Sequence, residues 1–153
     1  MAYTPDPVFE KMRVSALGYK DANAPAGQLY GVIMETGFDE GAATLVAMSD
    51  GAVSVYYSSG GGLIGAGAHP KVARLAYDFA LTAARFAASM PVCIKRGVAG
   101  DGETKFFVLI DNSVRCVAVP TVNFVNGRAP MSDLFRAGHA LVTEVRQVQP
   151  APA

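Results

Sequence analysis

Apolar residues recur at two different spacings along the chain, and the change between them divides the sequence into predicted helices and strands. Spacings of three and four residues predict a helix from Pro7 to Leu17, with Asp6 as its N-cap. A second amphipathic helix is predicted from Pro70 to Ser89, and a third from Met131 to Val148. Each helix has one apolar stripe, so each must pack against an apolar surface.

Between these helices the apolar residues alternate with polar ones or form short runs, as in β-strands. The predicted strands fall into two groups, LYGVIME, ATLVAMS and AVSVYYS followed by PVCIKRG, KFFVLI and SVRCVAV. Tight turns at Asp50-Gly51 and Asp111-Asn112 close the last hairpin of each group. Short connections favour antiparallel pairing, which predicts an α+β fold: an antiparallel sheet of five to six strands in a two-layer sandwich, plus a short N-terminal helix.

The whole chain of 153 residues is predicted to be a single domain. Residues 1–28 supply the N-terminal helix and a polar connection, and 149–153 are predicted to be a frayed tail. A shift of 61 residues aligns the two tight turns and also aligns Pro70 with Met131. An internal duplication of a unit with three strands and a helix is therefore an alternative interpretation.

Two features predict self-association. The strand KFFVLI is apolar on both faces, so the face left open by the later helices needs either the N-terminal helix or a second subunit. Charged residues form only 17% of the chain while apolar residues form 51%, which suggests that another copy covers some apolar surface. We therefore expect a homo-oligomer, most simply a homodimer.

Charge and hydropathy argue against several partner classes. Lys and Arg total 13 and Asp and Glu also total 13, so no basic field attracts nucleic acid or anionic lipid. Apolar runs end well before the roughly 18 residues of a membrane span, and the start of the chain lacks the order of a secretory signal. Cys93 and Cys116 lie in apolar runs, which predicts reduced, buried thiols, a cytoplasmic location and no metal site.

The most distinctive segment is SSGGGLIGAG, Ser58 to Gly67, which lies between a strand and the second helix. A dinucleotide fingerprint would need a parallel βαβ unit, whereas the preceding strand here closes a hairpin. The segment is either a cradle of backbone amides for an anion or small ligand, or a structural turn whose glycines allow close passage over the sheet, which is the favoured interpretation. The candidate ligand-binding residues are Ser58, Ser59, Gly60, Gly61, Gly62, Gly65, Gly67 and His69.

No catalytic set and no cofactor are predicted. The chain has no G-x-S-x-G elbow, and its acidic pairs lie in predicted loops. His69 and His139 form an acid–base set only if both share a cleft with Glu35, which the sequence gives no reason to expect. Enzymatic activity is left open, with a non-enzymatic role favoured. Gly138, on the apolar stripe of the last helix, is predicted to mark a close helix contact.

Three segments, GVIMETG at 31–37, GGLIGAG at 61–67 and LFRAGH at 134–139, resemble an uncharacterised group of bacterial proteins. That resemblance implies no activity and no catalytic residue. The order of strands and helices is also similar to that of roadblock and profilin-like domains, which implies a dimeric scaffold or a regulator of small GTPases. The leading hypothesis is a non-enzymatic, homo-oligomeric interaction or regulatory domain. The alternative is a domain, or an unrecognised enzyme, that binds a small ligand or anion at the turn 58–69.

Overall fold

The computed structural model describes residues 3–127 and 129–148, in which helices pack on both faces of a six-stranded sheet. The strands are β1 (Gly31–Phe38), β2 (Gly41–Met48), β3 (Val53–Tyr57), β4 (Gly62–Leu63), β5 (Glu103–Ile110) and β6 (Ser113–Pro120). The helices are α1 (Pro7–Leu17), α2 (Pro70–Phe86), α3 (Thr121–Val125) and α4 (Ser132–Val148). The strand order is β4-β3-β2-β1-β5-β6, and every pairing is antiparallel. The predicted α+β class is confirmed.

The three predicted helices form at the expected positions. Asp6 caps α1, because its Oδ1 accepts a hydrogen bond of 2.8 Å from the backbone N–H of Val8. A 3-10 turn extends α2 to Ser89, and α4 begins one residue after its predicted start. The five-residue α3 was not predicted, and it buries only one side chain, Phe124. The predicted frayed tail, 149–153, lies outside the described residues.

The predicted strand PVCIKRG is wrong. Its first residues pair with β6, since the N–H of Cys93 donates to the carbonyl oxygen of Val114 at 2.8 Å and Val92 forms an isolated bridge with Arg115. The chain then leaves the sheet edge and crosses the face that carries α1. There the carbonyl oxygens of Arg96 and Gly97 accept hydrogen bonds from Arg13 of α1 instead of from a strand. The sixth strand is the two-residue β4, which follows the glycine-rich turn.

Helices α2 and α4 cover one face of the sheet and pack against each other. Their buried side chains form one core with alternate residues of the central strands, such as Val32 and Phe106. A Cβ added to Gly138 would lie 2.6 Å from the Met34 sulfur and 3.2 Å from Cε1 of Phe79. The glycine therefore allows α4 to contact α2 and β1 closely, as predicted.

The opposite face of the sheet is covered by α1 and by the segment 91–99. Phe107 and Leu109 of β5 point to this side and are fully buried with Ile33 and Leu17. Of the two ways to cover the second face of KFFVLI, the N-terminal helix is the one found. The expected homodimer therefore loses this supporting argument and stays a prediction.

A buried ion pair joins α1 to the centre of the sheet. Glu35 on β1 has no exposed surface, and it accepts two hydrogen bonds from Arg13 of α1, from Nε to Oε2 at 2.6 Å and from Nη2 to Oε1 at 2.9 Å. Thr44 lies opposite Glu35 on the neighbouring strand β2, and its hydroxyl donates to Oε2 of Glu35 at 2.7 Å. The N–H of Ala99 donates to Oε1 at 2.9 Å. Both carboxylate oxygens are therefore fully hydrogen-bonded, which is what allows a charge to be buried.

The guanidinium of Arg13 is held equally closely. Its Nη1 donates to the carbonyl oxygen of Arg96 at 2.6 Å, and Nη2 donates to that of Gly97 at 2.9 Å. The ring of Phe107 lies below it, with 5.6 Å between Cζ and the ring centroid. The ion pair thus connects three parts of the chain: α1, the strand β1 and the segment 96–99.

Cys93 and Cys116 form a disulfide, with 5.0 Å between their Cα atoms. The prediction of reduced thiols is therefore wrong. The segment that contains Cys93 pairs with β6, and this pairing places Cys93 next to Cys116. Disulfides are typical of oxidising compartments, so the cysteines no longer support the cytoplasmic location, which stays a prediction. Within the described residues, no helix is both long and apolar enough to cross a membrane.

Replacing Glu35 by Gln should destabilise the fold by about 3–5 kcal/mol, because the buried Arg13 loses its counter-charge. Urea denaturation measures this free energy of unfolding. Glu10→Gln, on the exposed side of α1, is the matched control and should change it by less than about 0.5 kcal/mol. Equal midpoints for the two variants would contradict the structural role of the ion pair.

Reduction of the disulfide should lower the free energy of unfolding by about 3 kcal/mol, as expected for cross-linked residues 23 positions apart. Urea denaturation with and without a phosphine reductant measures the difference. The double variant Cys93→Ser, Cys116→Ser should be insensitive to the reductant. A wild-type midpoint that does not respond to reductant would show that the two thiols are not linked.

Candidate functional site

A cleft opens between the C-terminal half of α4 and one end of strands β1, β2 and β3. Its volume is about 420 Å³, within the range of pockets that hold small organic ligands. Gly138 allows α4 to lie close to α2. The ends of the strands on the side of α4 away from α2 therefore stay uncovered, and the cleft lies there.

The floor of the cleft is apolar. Met34 and Leu45 come from the centres of β1 and β2, and Val55 comes from β3. All three point toward the helical face and belong to its core, which fixes their positions. Val142 of α4 forms the wall opposite them. A ligand in the cleft would therefore lay an apolar part against a rigid apolar surface.

Polar groups surround this floor. Those with side chains able to donate or accept hydrogen bonds are Thr36, Glu40, Tyr57, Ser58, Ser59, His139, Thr143 and Arg146. Three of them, His139, Thr143 and Arg146, are spaced four and three residues apart, so α4 presents them on the same side as Val142. Arg146 is exposed and takes part in no ion pair within residues 3–127 and 129–148. It is the permanent cation at the rim.

His139 is a neutral group near pH 7. Burial of part of the imidazole lowers the pKa of His139 below its ordinary value, although the side chain keeps a solvent-exposed edge. Its ring lies 4.3 Å from that of Phe135, which itself stacks on Phe124. The neutral imidazole can donate or accept one hydrogen bond to a ligand, and it adds no second charge.

Of the sequence-predicted ligand residues, Ser58 and Ser59 line this cleft. Ser58 is 2% exposed. Its hydroxyl accepts a hydrogen bond of 2.8 Å from the N–H of Ala42, so it joins β3 to β2. Ser59 is exposed and can contact a ligand directly.

The other predicted ligand residues lie outside the cleft lining. Gly60 and Gly61 form the turn between β3 and β4 with φ of 103° and 78°, and Gly62 pairs with Tyr56 in β4. Gly65 (φ 78°) precedes a 3-10 turn, and His69 precedes α2 without a hydrogen bond from its side chain to the helix. A ligand role for these residues stays a prediction.

Gly67 packs directly on the β2–β3 hairpin. A Cβ at this position would lie 1.8 Å from the carbonyl oxygen of Gly51, too close for any side chain. This contact agrees with the structural interpretation of the glycine-rich segment, in which glycine allows the chain to pass close to the sheet.

The hypothetical acid–base set does not assemble. Glu35 points to the α1 face and is enclosed by Arg13, Thr44 and Ala99, whereas His139 lies on the opposite, helical face. No group of three or more His, Cys, Asp or Glu side chains suited to a metal ion occurs among the described residues.

Thr36, Thr143 and Arg146 were not among the candidate residues predicted from the sequence. One signal was available: His139, Val142, Thr143 and Arg146 form a stripe of mixed polarity next to the apolar stripe of α4. Such a stripe is typical of an exposed helix face, so the spacing alone does not separate a cleft wall from solvated surface.

Comparisons of the chain with protein-family models, with curated proteins and with solved structures find no match. The resemblance to roadblock and profilin-like domains therefore gains no support beyond the α+β class itself.

Replacing Gly67 by Ala should destabilise the fold by about 1–3 kcal/mol, because the added methyl group forces the turn away from the β2–β3 hairpin. Thermal unfolding followed by circular dichroism measures the effect. Gly100→Ala is the control, since a Cβ at Gly100 meets no atom within 4 Å. If both variants unfold at the wild-type temperature, the close contact at Gly67 is not required.

Proposed function

We propose that this protein is a non-catalytic domain that binds a small amphipathic carboxylate in the cleft between α4 and strands β1–β3. The observation that carries the proposal is an apolar floor with one permanent cation, Arg146, at its rim. The floor suits an aliphatic or aromatic body, and the guanidinium suits a carboxylate, which it can bind through two parallel hydrogen bonds.

The neighbouring groups favour a carboxylate over a bare apolar ligand. Thr143 lies on α4 between His139 and Arg146, and Ser59 lines the same cleft. Their hydroxyl groups donate to carboxylate oxygens, and the neutral His139 can donate one more hydrogen bond. A ligand without an acceptor would cover these donors and leave them unpaired, which disfavours its binding.

Glu40 adds a second criterion for the ligand. Its exposed carboxylate lies in the turn between β1 and β2 and also lines the cleft. An ammonium group next to the ligand carboxylate could pair with Glu40, whereas a second anionic group would be repelled. A zwitterionic head group therefore uses both charges at the rim.

Calorimetric titration with three ligands that share one alkyl chain tests the proposal. Octanoate should bind, 2-aminooctanoate should bind more tightly, and octylamine should bind more weakly than octanoate. Replacing Arg146 by Gln should weaken octanoate binding roughly tenfold to a hundredfold, because a charged hydrogen-bonded contact contributes about 1.5–3 kcal/mol.

Arg96→Gln is the matched control for this experiment. Its side chain is exposed in the segment on the α1 face, away from the cleft, and only its backbone carbonyl contacts Arg13. Affinity should stay at the wild-type value. Binding of octylamine as tight as that of octanoate, or an Arg146→Gln variant with unchanged affinity, would overturn the carboxylate proposal.

A homo-oligomeric interaction domain is the second candidate function. One observation favours it: Tyr77 and Leu81 of α2 are 65% and 51% exposed, next to an apolar opening in the helical layer. Ligand binding and self-association use different surfaces of the molecule, so one does not exclude the other.

A further inference from the structure

Four consecutive residues, 94–97, form an exposed loop where the chain passes from the edge of β6 to the α1 face. Ile94 is 92% exposed, more than any other large apolar side chain of the described residues. Lys95 and Arg96 are exposed as well, and Lys95 takes part in no ion pair within residues 3–127 and 129–148. The loop therefore presents one aliphatic and two cationic side chains to solvent.

The backbone of the loop 94–97 is fixed on both sides. Before it, Cys93 is joined to Cys116 of β6 by the disulfide. At its other end, the carbonyl oxygens of Arg96 and Gly97 accept hydrogen bonds from the buried Arg13. A backbone held in this way loses little conformational freedom when a partner binds to it. Exposed side chains on such a backbone suit recognition by another protein.

The peptide bond between Lys95 and Arg96 is the one that the loop leaves accessible to a partner. The carbonyl oxygens of Arg96 and Gly97 are occupied by Arg13. By contrast, no N–H or O–H group of the described residues donates to the carbonyl oxygen of Lys95. The Sγ of Cys93 lies 3.3 Å from that oxygen, but a disulfide sulfur has no proton to donate. The Lys95 carbonyl can therefore accept hydrogen bonds from another molecule.

A trypsin-like serine protease has binding sites for both free groups of Lys95. The N–H groups of its oxyanion hole bind a carbonyl oxygen. The specificity pocket of trypsin contains an aspartate, which pairs with the side chain of a lysine or an arginine. Lys95 supplies the carbonyl and the cation from one residue. Ile94 and Arg96, on its two sides, are exposed and can contact the rim of the protease site.

The disulfide crosses the same peptide bond. Cys93 precedes the bond between Lys95 and Arg96 and Cys116 follows it, so the two fragments of a cleaved chain stay covalently linked. Arg13 also keeps the Arg96 side in place through the Arg96 carbonyl. The loop is therefore built to hold both ends of a cleaved bond next to each other.

This arrangement makes cleavage reversible. The serine Oγ of the protease attacks the carbonyl carbon of Lys95, the bond to Arg96 breaks, and the protease histidine transfers the serine proton to the new α-amine of Arg96. That amine stays next to the acyl ester. It attacks the ester, which reforms the peptide bond and returns the proton through the histidine to the serine.

We infer that the loop 94–97 is an inhibitory loop for a trypsin-like serine protease, with Lys95 in the specificity pocket. The fixed backbone favours the bound, uncleaved chain over separated products, so the protease stays occupied. The loop lies on the α1 face, whereas the ligand cleft lies on the helical face. The inference therefore goes beyond the proposed function and does not depend on the proposed ligand.

The activity of trypsin on a chromogenic substrate tests the inference. The wild-type protein should inhibit trypsin at equimolar ratio, and Lys95→Arg should inhibit it equally well. Lys95→Ala should raise the inhibition constant about a hundredfold or more, because one charged side chain in a desolvated pocket carries much of the binding energy. Lys11→Ala is the matched control, since Lys11 is an exposed cation on α1, and it should leave the constant unchanged. Absence of inhibition by wild type, or equal losses for Lys95→Ala and Lys11→Ala, would overturn the inference.

A change of specificity separates recognition of this loop from loss of folding. Chymotrypsin has a hydrophobic specificity pocket in place of the acidic one. Lys95→Leu should therefore lose the inhibition of trypsin and gain inhibition of chymotrypsin. Circular dichroism should show wild-type helix content, because the side chain of Lys95 is exposed. A folded Lys95→Leu variant that inhibits neither protease would contradict the inference.

Mass spectrometry of the protein incubated with trypsin distinguishes an inhibitor from a substrate. Most of the wild-type chain should stay intact, and the nicked form should be cleaved between Lys95 and Arg96 with its fragments linked by the disulfide. Purified nicked protein should regain the intact mass when fresh trypsin is added, because the held amine reforms the bond. Rapid and complete cleavage of the wild-type loop, with no return to the intact chain, would show an exposed cleavage site only, and the inference would be wrong.

Discussion

The buried ion pair between Arg13 and Glu35 is the interaction on which the arrangement of the molecule depends. A carboxylate in the centre of a sheet is tolerated only if its oxygens are hydrogen-bonded and its charge is matched. Here the partners come from α1, from β2 and from the segment that follows Cys93. The hydrogen bonds and the counter-charge that the Glu35 carboxylate requires therefore determine how the N-terminal helix and a long irregular segment lie on the sheet.

This constraint explains why the two faces of the sheet differ. The α1 face is closed by specific polar contacts and by the disulfide to β6, so the chain itself covers the second face of the central strands. The helical face is closed mainly by the apolar packing of α2 and α4, with two surface ion pairs between these helices. Strands of eight residues extend about 27 Å, whereas two helices side by side cover roughly 20 Å. The ends of β1 and β2 therefore extend beyond the helix pair, and they line both the cleft and a second opening beside α2.

Local patterns predicted the helices and hairpins because short-range chemistry determines them. Asp6 and Pro7 mark the start of α1, and Asp111-Asn112 adopts positive φ in the tight turn (53° and 55°). Gly138 could be assigned to a helix contact because it interrupts an otherwise apolar stripe. The ion pair could not be predicted, since Arg13 and Glu35 are 22 residues apart and nothing in their neighbours distinguishes them from solvated charges.

The errors share a physical cause. PVCIKRG has the composition of a strand, but the contacts of Arg96 and Gly97 with Arg13 direct it across the sheet instead of along its edge. The same path brings Cys93 to Cys116. Ser58 and Ser59 were predicted as ligand-binding residues because they belong to the glycine-rich turn. The cleft that they line also contains Arg146, which is distant in sequence. Tertiary contacts of this kind leave no periodic trace in the chain.

Hydrogen exchange at the backbone amide of Ala99 tests the central role of the ion pair most directly. This amide donates to Glu35 Oε1 from an irregular segment and has no strand neighbour. If Glu35 and Arg13 hold the segment on the sheet, the Ala99 amide should be protected to the same degree as the amides of β1. Exchange as fast as that of the exposed loop at 100–102 would show that the segment opens independently of the fold, and the account would be wrong.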